Sequence, residues 1–414
     1  MNLKEKYNLI VIGSGAAGMT AAIVAARASN SVLLLEKLPN LAAKLKATGG
    51  GRCNLTNTLS NEDFMLRFGR DGRFMQDALA TLDHTKLIDF LASIGVETHA
   101  PDGFRVFPTS HSSATIINGL EDEMKRVGVE VLRSQKVQRI LTEGSHVSGV
   151  KTQDSSYLAS NVVVATGGLG FPTLGAEGDG YSMATELGHT VTDLHPAMMP
   201  LLTKENWGAH CRADTIAKVE LRVELKKHKK LRAKGDLIFT KKGIRGPVVL
   251  DFAREVTPLL QKYGEVPLLL NLTKGMNEEQ ISKHIKNEVS KNPDASMLTH
   301  LKTLLPEALS QELCILAEVN PQDTNKKVSG KSRAKLMQLL AWTPLTVTGH
   351  EGFDKAMITR GGIKLKEIEP KTMQSKKVNG LYFCGEIMNL DGPCGGYNLQ
   401  WSFASGALAG QLLS

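Results

Sequence analysis

Three glycines near the start of the chain have the spacing of a phosphate-binding turn. Gly13, Gly15 and Gly18 follow the GxGxxG pattern. In this pattern the first glycine allows a tight turn, the second lets a pyrophosphate approach the backbone, and the third lets the helix pack closely on the strand. Ala16 lies at the start of that helix, where free N–H groups can hold phosphates. The pattern therefore predicts a nucleotide site.

An acidic residue completes this pattern. Glu36 follows the third glycine by 18 residues and ends the next apolar run. A carboxylate at this position can accept hydrogen bonds from both hydroxyls of an adenosine ribose, and it would repel a 2′-phosphate. Glu36 is therefore predicted to bind adenosine; the alternative is that it is a solvated strand end.

The elements around these residues are those that a dinucleotide-binding fold needs. Residues 8–12 and 31–36 have the apolar pattern of short buried strands, and residues 15–28 that of a small-residue helix. A strand, a helix and a second strand over about 30 residues form a βαβ unit. We therefore expect the glycine turn to lie at the carboxyl end of the first strand.

The rest of the chain indicates FAD rather than NAD. Two further apolar strands end in glycine, at 162–168 and 381–386, and a small-residue helix is predicted at about 397–412. This layout is similar to that of two-dinucleotide-fold flavoproteins, in which such strands flank the FAD and the final helix directs its N-terminus toward the flavin. A helix dipole there stabilises negative charge on the reduced flavin. Without a second full fingerprint, NADH or NADPH would visit the substrate cleft only transiently as electron donor.

The composition predicts a globular protein of two or three domains. The chain has 414 residues, of which 42% are hydrophobic and 22% are charged. Its five cysteines form no CxxC pair, so we expect a cytoplasmic protein.

Residues 9–26 carry no charge, but glycines interrupt this run. The interruption favours a strand–turn–helix over a membrane helix, and no membrane partner is expected. The dispersed histidines lack the HExxH pattern, and no metal site is predicted.

The net charge of +8 is concentrated in residues 222–245, which contain ten basic and two acidic residues. Residues 216–225 alternate between apolar and charged, as in a half-buried antiparallel strand. A turn is predicted at Ala233-Lys234-Gly235, with the next strand at 237–240. The basic residues would then project from a hairpin and could bind the phosphates of RNA; the alternative is a solvated edge that prevents strand aggregation. The RNA-binding candidates are Lys226, Lys227, Lys229, Lys230, Arg232, Lys241 and Arg245.

The predicted fold class is α/β, a two-dinucleotide-binding, Rossmann-like FAD fold with an inserted β-rich domain and a small helical subdomain. Residues 1–193 and 342–414 are predicted to form the FAD-binding domain. Residues 194–275 are predicted to form the β-rich substrate domain, and residues 276–341 a helical insertion.

Three stretches of sequence resemble one family. Residues 48–57 are TGGGRCNLTN, residues 385–400 are GEIMNLDGPCGGYNLQ, and residues 234–247 are KGDLIFTKKGIRGP. They resemble the BaiN/aminoacetone-oxidase-like bacterial FAD flavoproteins, and the resemblance covers nearly the whole chain. Members of that family are FAD oxidoreductases of unlike substrates: enones of steroid-like acids, a small amine, and uridine in ribosomal RNA.

The resemblance implies a set of cofactor-binding residues. Those for the adenosine and pyrophosphate are Gly13, Gly15, Gly18, Glu36 and Lys37, with Val137 on the adenine side. Those for the flavin are Gly49, Gly50, Arg52, Cys53 and Asn54, with Thr166, Gly167, Gly385, Glu386, Gly396, Asn398 and Leu399 along the cofactor. The family aspartate is replaced by Asn389, with Asp391 two residues later. Lys241 replaces a family histidine and Arg245 a family serine, which makes the hairpin more basic.

The expected enzyme is an FAD-dependent oxidoreductase that reduces an activated C=C bond, with a uridine in ribosomal RNA as leading substrate. Cys53 is the candidate proton donor or a buried filler, Tyr397 a hydrogen-bond donor or packed aromatic, and Arg52 an oxyanion stabiliser or loop brace. Arg105 and Arg360 are candidates for a substrate carboxylate or phosphate. The alternatives are an oxidase of a small-molecule amine such as aminoacetone, an enone reductase of a steroid-like metabolite, and a flavin-containing RNA-binding factor.

Overall fold

The structure is a computed structural model that describes residues 3–212 and 214–412. The chain divides into two compact units. The first is formed by the residues up to His195 together with those from Met357 onward, and the second runs from Pro196 to Ala356.

The elements of both units follow in chain order. Up to the unit boundary they are β1 (Leu3–Ile12), α1 (Ala16–Arg27), β2 (Val32–Leu35), α2 (Ala43–Ala47), β3 (Thr56–Asn57), α3 (Asn61–Leu66), α4 (Gln76–Thr81), α5 (His84–Ser93), β4 (Thr98–His99), β5 (Arg105–Pro108), α6 (Ser113–Arg126), β6 (Glu130–Leu132), β7 (Val137–Glu143), β8 (His146–Thr152), β9 (Ser156–Val164), α7 (Asp179–Glu186) and β10 (His195–Ala197). Those that follow are β11 (Leu201–Thr203), β12 (Thr215–Val223), β13 (Arg232–Phe239), β14 (Gly243–Arg245), α8 (Pro247–Tyr263), β15 (Val266–Asn271), α9 (Glu278–Lys291), α10 (Met297–Leu301), α11 (Glu307–Leu316), α12 (Gly330–Ala341) and β16 (Thr343–His350). The chain ends with β17 (Ile358–Arg360), β18 (Leu381–Phe383) and α13 (Tyr397–Gly410).

The main sheet of the first unit has a parallel half and an antiparallel half. Strands β6, β2, β1 and β9 are parallel neighbours, and β18 pairs in parallel with the last three residues of β9. The first residues of β9 pair instead with β8, which pairs with β7 in an antiparallel meander. The central parallel segments, at 9–12, 32–35, 162–164 and 381–383, are continuous apolar runs that are buried, as expected for strands covered on both faces. This sheet confirms the Rossmann-like fold predicted from the glycine turn.

Helices α1 and α13 pack against each other through residues without bulky side chains. A methyl group at Gly406 would lie 2.2 Å from the carbonyl oxygen of Ala17, and one at Gly410 would lie 2.5 Å from that of Ala21. The two backbones therefore approach too closely for any larger residue. This contact attaches the C-terminal helix to the helix that follows the glycine turn.

The segment from residue 76 to residue 93 contains two helices, α4 and α5, rather than one. The Asp83 side chain accepts a hydrogen bond from the Lys86 backbone N–H and starts α5 as a new helix after α4 has ended at Thr81. An N-terminal cap of this kind satisfies backbone groups that would otherwise lack partners.

The second unit is a closed barrel covered by helices. The strands are ordered β11, β14, β13, β12, β15 and β16 around the barrel. One hydrophobic core contains barrel residues such as Leu221 and Leu270, residues of α8 such as Phe252, and residues of the later helices such as Leu309 and Leu336. The helices predicted as a separate insertion therefore share the core of the β-rich part.

The predicted return to the FAD-binding domain at residue 342 is wrong. Strand β16 pairs with β15 and with β11 and so closes the barrel. The first unit resumes at Met357. Strands of both units contain alternating apolar residues, so the sequence pattern of β16 does not indicate to which unit the strand belongs.

The predicted hairpin turn at residues 233–235 is also wrong. Ala233 pairs with Leu221 and Gly235 with Val219, so both lie inside β13, and the turn is the lysine-rich segment 224–231. A methyl group at Gly235 would lie 3.2 Å from Cβ of Val248 on α8. This glycine therefore permits a helix to approach the strand, and it is not a turn residue.

None of the helices in the described part of the chain has the length and apolarity that crossing a bilayer requires.

Candidate functional site

The site lies where parallel strands of the first unit end. The carboxyl ends of β1, β2, β9 and β18 lie at one edge of the sheet, and each is followed by residues predicted to bind the cofactor. In open sheets of this kind, ligands bind outside the carboxyl ends of the strands.

The three glycines of the first turn have different structural roles. Gly13 has φ of 99°, and a methyl group there would lie 2.7 Å from the carbonyl oxygen of Ala165. A methyl group at Gly18 would lie 2.0 Å from the carbonyl oxygen of Gly13. At Gly15, in contrast, a methyl group would have no atom within 4 Å, and no described side chain caps the helix that begins at Ala16. Open space beside unpaired helix N–H groups fits a pyrophosphate.

Glu36 is a buried residue that organises the turn. It is 8% exposed, which excludes the solvated strand end. Its Oε2 accepts hydrogen bonds from the backbone N–H of Ser14, at 3.0 Å, and from the Ser14 hydroxyl; Oε1 accepts one from the N–H of Leu38, at 2.8 Å. Because each carboxylate oxygen can accept about two hydrogen bonds, Oε1 retains one acceptor position for a ribose hydroxyl.

Lys37 contacts acidic residues of the chain. Its ammonium group forms ion pairs with Glu177, at 3.0 Å, and with Asp179 at the start of α7. Lys136 joins the same two carboxylates. Val137 follows directly as the buried first residue of β7. The cofactor roles of Lys37 and Val137 therefore stay predictions, and Lys37 has a structural role of its own.

The GGGRC segment forms a loop with little side-chain cover. Gly49, Gly50 and Gly51 have φ of 58°, 66° and 88°, and methyl groups at Gly50 and Gly51 would have no atom within 4 Å. Arg52 is exposed, and its guanidinium has no hydrogen bond or ion pair within residues 3–212 and 214–412. The loop thus presents backbone groups and one free cation.

Cys53 lies beneath this loop in a constrained conformation. Its φ is 57°, a left-handed value that is unfavourable for a residue with a side chain. Its side chain is fully buried, and its backbone N–H donates to the Thr48 carbonyl oxygen at 3.1 Å. Burial raises the pKa of the thiol to about 11, although the Thr48 side chain partly opposes this through a hydrogen bond. Cys53 is therefore a protonated thiol at neutral pH.

The two most distinctive sequence motifs meet through Asn54. With its amide oriented to satisfy both ends, Nδ2 donates to the carbonyl oxygens of Thr56 and Val106, and Oδ1 accepts from the N–H of Gly396 at 3.1 Å. A methyl group at Gly396 would lie 2.6 Å from the Thr56 carbonyl carbon. The N-terminus of α13 is therefore held against the GGGRCN loop, as the resemblance implies.

The residues around the start of α13 mostly hold their own loop. Asn398 accepts from the Gly392 N–H at 2.8 Å and donates to the Gly392 carbonyl oxygen at 2.9 Å. Tyr397 is buried, with its ring centroid 5.0 Å from that of Phe64 and 6.2 Å from that of Phe68. Packing is thus a sufficient role for Tyr397. Asp391 and Leu399 are half-buried on either side of these residues.

The ends of β9 and β18 complete the site. Thr166 follows β9, and its buried hydroxyl has no hydrogen-bond partner within the described residues; Gly167 beside it leaves open space. A methyl group at Gly385 would lie 3.0 Å from Cβ of Ala17. Glu386 pairs with Lys44 at 2.8 Å and also accepts from the backbone N–H of Thr359 at 2.8 Å.

These features fit an FAD molecule. The open space at Gly15, the uncapped start of α1, the bare backbone of residues 49–51 and the unpartnered hydroxyl of Thr166 are all groups that a bound dinucleotide would engage.

Several residues that sequence reasoning missed support the predicted ones. Ser14 binds Glu36, Lys44 binds Glu386, and Thr359 binds both Glu386 and the Leu169 N–H. Ser14 lies inside the glycine pattern and could have been found there. Lys44 and Thr359 lie far from their partners in sequence and gave no signal. Arg105 pairs with Asp102 at 2.6 Å.

The residues of the second unit that are predicted to bind RNA lie in two clusters. The tip cluster consists of Lys226, Lys227, Lys229 and Lys230 in the turn, with Arg232 at the start of β13. Lys241, Lys242 and Arg245 lie around the turn that follows the other end of β13, and we call them the distal cluster. Strand β13 separates the two by about 23 Å, since each residue of a strand advances about 3.3 Å. The segment is therefore not one continuous patch.

Arg222 has a structural role. Its guanidinium lies 4.0 Å from the ring centroid of Trp342, and its Nε lies 3.6 Å from a carboxylate oxygen of Glu224. Lys229 also reaches Glu224, at 3.2 Å. The exposed side chains of Lys226, Lys227 and Lys230 have no ion pair among the described residues.

The fold and the site define an FAD-dependent oxidoreductase. The structure resembles that of a 3-ketosteroid-Δ4-(5α)-dehydrogenase from Rhodococcus jostii RHA1, with a TM-score of 0.52 over 99% of this chain and 98% of that one. At 16% sequence identity this likeness shows the fold alone.

The chain belongs to the family described as HI0933-like protein Rossmann domain, whose model matches residues 7–412. It is 30% identical to the 3-dehydro-bile acid delta(4,6)-reductase of Clostridium scindens, over 97% of each chain. It is 29% identical to the ribosomal RNA dihydrouridine synthase of Haemophilus influenzae, over 96% of each chain. The predicted resemblance to FAD oxidoreductases is therefore confirmed.

Proposed function

We propose that this enzyme reduces an activated C=C bond, and that its substrate is a uridine in ribosomal RNA. The observation that carries the proposal is the tip cluster, whose exposed lysines have no acidic partners among the residues that the structure describes, apart from the contact of Lys229 with Glu224. Lysines of this kind bind phosphates and position RNA without reading its sequence. The name of the Haemophilus influenzae relative states the same reaction.

The chemistry requires two hydrogens to be added across the C5=C6 bond of uracil. Bound FAD, in its reduced form, supplies the hydride to the carbon that is β to the carbonyl group. The chain must then supply a proton to the α-carbon and a donor to the carbonyl oxygen. Oxidised cofactor and dihydrouridine are the products, so NADH or NADPH is proposed as the reductant for the next cycle.

The residues of the GGGRCN loop can supply the polar groups. Arg52 has a free guanidinium that can donate to a carbonyl oxygen. Cys53 carries a proton at neutral pH and is the proposed proton donor. The N-terminus of α13 has no side-chain cap, and its dipole stabilises negative charge that develops nearby.

A second candidate substrate is a steroid-like enone. It is favoured by the relative from Clostridium scindens, which is named a bile acid reductase. Such a substrate requires neither phosphate contacts nor exposed lysines. The two candidates therefore differ in whether neutralising the tip cluster lowers the rate.

The test is mass spectrometry of ribosomal RNA from a strain that lacks this protein, compared with its parent. In the parent strain we expect one uridine of ribosomal RNA to be heavier by two hydrogens, and in the deletion strain this extra mass should be absent. A plasmid copy of the wild-type gene should restore the extra mass. An unchanged map would overturn the proposal. The Gly15→Ala variant, with weakened FAD binding, is expected to fail to restore the modification.

The proposed reductant is tested on the oxidised holoenzyme. Under anaerobic conditions, stopped-flow mixing with NADH and with NADPH should bleach the flavin absorbance with at least one of them. Flavin that stays oxidised with both would exclude a nicotinamide donor.

A further inference from the structure

The tip cluster lies beside an aromatic residue of another element. Tyr263 is the last residue of α8, and its hydroxyl lies 3.2 Å from Nε2 of His228 in the middle of the lysine-rich turn. The two rings are 5.8 Å apart and nearly perpendicular, at 72°. The ammonium group of Lys262 lies 5.3 Å from the centroid of the Tyr263 ring. The ring is therefore held beside His228 and has the ammonium group of Lys262 close to it.

This tyrosine is unusually accessible. It is 41% exposed, whereas the other large aromatic side chains of the barrel unit are buried or partly buried. The conformation of this ring is already fixed in the free protein, while part of its surface is still in contact with water. A planar group that stacks on such a ring therefore buries apolar surface at little further cost in conformational entropy.

Stabilisation of the turn does not explain the exposed ring. Backbone hydrogen bonds already close the turn: His228 N–H donates to the Leu225 carbonyl oxygen at 2.8 Å, and Leu231 N–H donates to that of His228 at 2.9 Å. The Val223 N–H donates to the Leu231 carbonyl oxygen at 3.0 Å. These bonds close the turn without the tyrosine.

We infer that Tyr263 is a stacking platform for an unpaired base, with the lysines of the tip cluster on the neighbouring phosphates. The inference rests on the proposed function, because it names the form of RNA that the tip cluster binds. Base stacking on an aromatic ring does not depend on which base is present, and only bases outside a duplex expose their faces. The tip cluster therefore selects a loop or single-stranded segment rather than a helix.

The experiment measures binding of the full-length holoenzyme to labelled RNA by fluorescence anisotropy. The probes are a single-stranded octamer, the same octamer with abasic residues at its centre, and a duplex with the same number of phosphates. Wild-type protein should bind the octamer more tightly than either of the others. Equal affinity for all three would overturn the inference.

Two substitutions of the tyrosine separate stacking from hydrogen bonding. Tyr263→Phe keeps the ring and loses the hydroxyl, so its affinity for the octamer should stay within about twofold of wild type. Tyr263→Leu removes the ring and should bind the octamer about fivefold to a hundredfold more weakly. It should also lose the discrimination against the abasic octamer. Thermal unfolding checks that both variants are folded.

The salt dependence provides a readout that a structural defect would not give. Tyr263→Leu should leave the slope of log affinity against log salt unchanged, because it removes no phosphate contact. If Tyr263→Leu binds like wild type while the ribosomal RNA map still changes on gene deletion, the stacking inference fails and the proposed function stands. If the map is unchanged on deletion, the proposed function fails independently of the binding data. Equal binding of an acidic peptide would also overturn the inference.

Discussion

Gly15 and Gly18 belong to the same motif but have different roles: one leaves space for a ligand, and the other allows the chain to pack closely. A methyl group at Gly18 collides with the preceding turn, but one at Gly15 meets open space on a backbone that alanine can adopt, with φ of −68°. Gly18 is therefore required by the protein itself, and Gly15 by what binds to it.

The Gly15→Ala substitution is expected to leave the fold intact and weaken the cofactor. Its free energy of unfolding without FAD should change by less than about 1 kcal/mol. Its affinity for FAD should fall by about tenfold or more, because the methyl group occupies the approach of the pyrophosphate. Isothermal titration with FAD measures the second quantity, and urea unfolding the first.

The matched control is Gly18→Ala. It should lower the stability of the protein even without FAD, because its methyl group would lie 2.0 Å from the Gly13 carbonyl oxygen. A Gly15→Ala protein with normal FAD affinity would contradict the assignment of this space to the pyrophosphate.

Cys53 provides a test that depends on pH. Its pKa is raised from the ordinary value of 9.0 to about 11, so the folded protein holds the thiol proton more tightly than the unfolded chain does. The associated stability is fully present below about pH 9 and is lost as the pH rises toward about 11. Between pH 8 and pH 10.5 this loss should reach about 2 kcal/mol.

The control for this test is Cys53→Ser, whose side chain does not titrate in this range. Urea unfolding under reducing conditions at both pH values should give a smaller loss for the variant than for wild type. The other cysteines are present in both proteins, so the difference between the two losses isolates Cys53. Equal losses would show that the thiol is not buried as the structure places it.

At the scale of elements, a substitution that separates α1 from α13 is expected to affect the predicted cofactor site as well as the stability of the protein. Gly406→Ala places a methyl group 2.2 Å from the Ala17 carbonyl oxygen. Separating the two helices should cost about 1–3 kcal/mol and also weaken FAD binding, because α1 starts at the predicted pyrophosphate site and α13 at the GGGRCN loop. Thermal unfolding and FAD titration measure the two effects.

Gly330→Ala is the control at this scale. Gly330 is also helical, at the start of α12, but a methyl group there has no atom within 4 Å. Alanine has the higher helix propensity, so the melting temperature should stay the same or rise slightly. A similar fall in melting temperature for Gly406→Ala and Gly330→Ala would mean that the loss of any helical glycine destabilises the protein, and that the contact between α1 and α13 has no special role.

Elements were predictable from sequence wherever one local pattern decides them. The strand predicted at residues 8–12 lies in β1, the one predicted at 31–36 contains β2, and the glycine turn lies between β1 and α1. The hairpin turn was misplaced because Gly235 was taken for a turn residue, whereas it accommodates Val248 of α8. A strand glycine that faces a distant helix has the same sequence signature as a turn glycine.

At the scale of the whole molecule, the positive charge is divided between the tip cluster and the distal cluster. Substituting Lys226→Gln and Lys227→Gln together should lower the slope of log affinity against log salt for single-stranded RNA by about 1.4, or about 0.7 for each lost phosphate contact. Anisotropy titrations at several salt concentrations measure this slope.

Two exposed lysines of the first unit supply the comparison. Lys364→Gln with Lys366→Gln changes the net charge by the same amount, on residues that no argument places at the RNA. The slope should then stay at its wild-type value. If both double variants lower the slope equally, RNA contacts the protein through its overall charge and the tip cluster has no special role.

The site as a whole was only partly predictable. Each motif could be recognised by itself, since glycines, Glu36 and the GGGRCN stretch have characteristic spacing. The contact that joins two of them, from Asn54 to Gly396, links residues more than 300 positions apart, and no periodicity encodes it. The same holds for the pair of Lys44 and Glu386. The resemblance to a family supplied what local patterns lacked.

The two-part construction of the first unit affects how the protein is made on the ribosome. Strand β18 and helix α13 are translated only after the 161 residues from Pro196 to Ala356. At about 5–20 residues per second, the end of β9 waits on the order of 10 to 40 seconds for β18, and the face of α1 around Ala17 waits on the order of 20 to 80 seconds for α13. The barrel unit, a continuous stretch, can fold during this interval. A nascent chain therefore displays an apolar helix face and an unpaired strand edge until β18 and α13 have been translated, and a chaperone would be most useful during that interval.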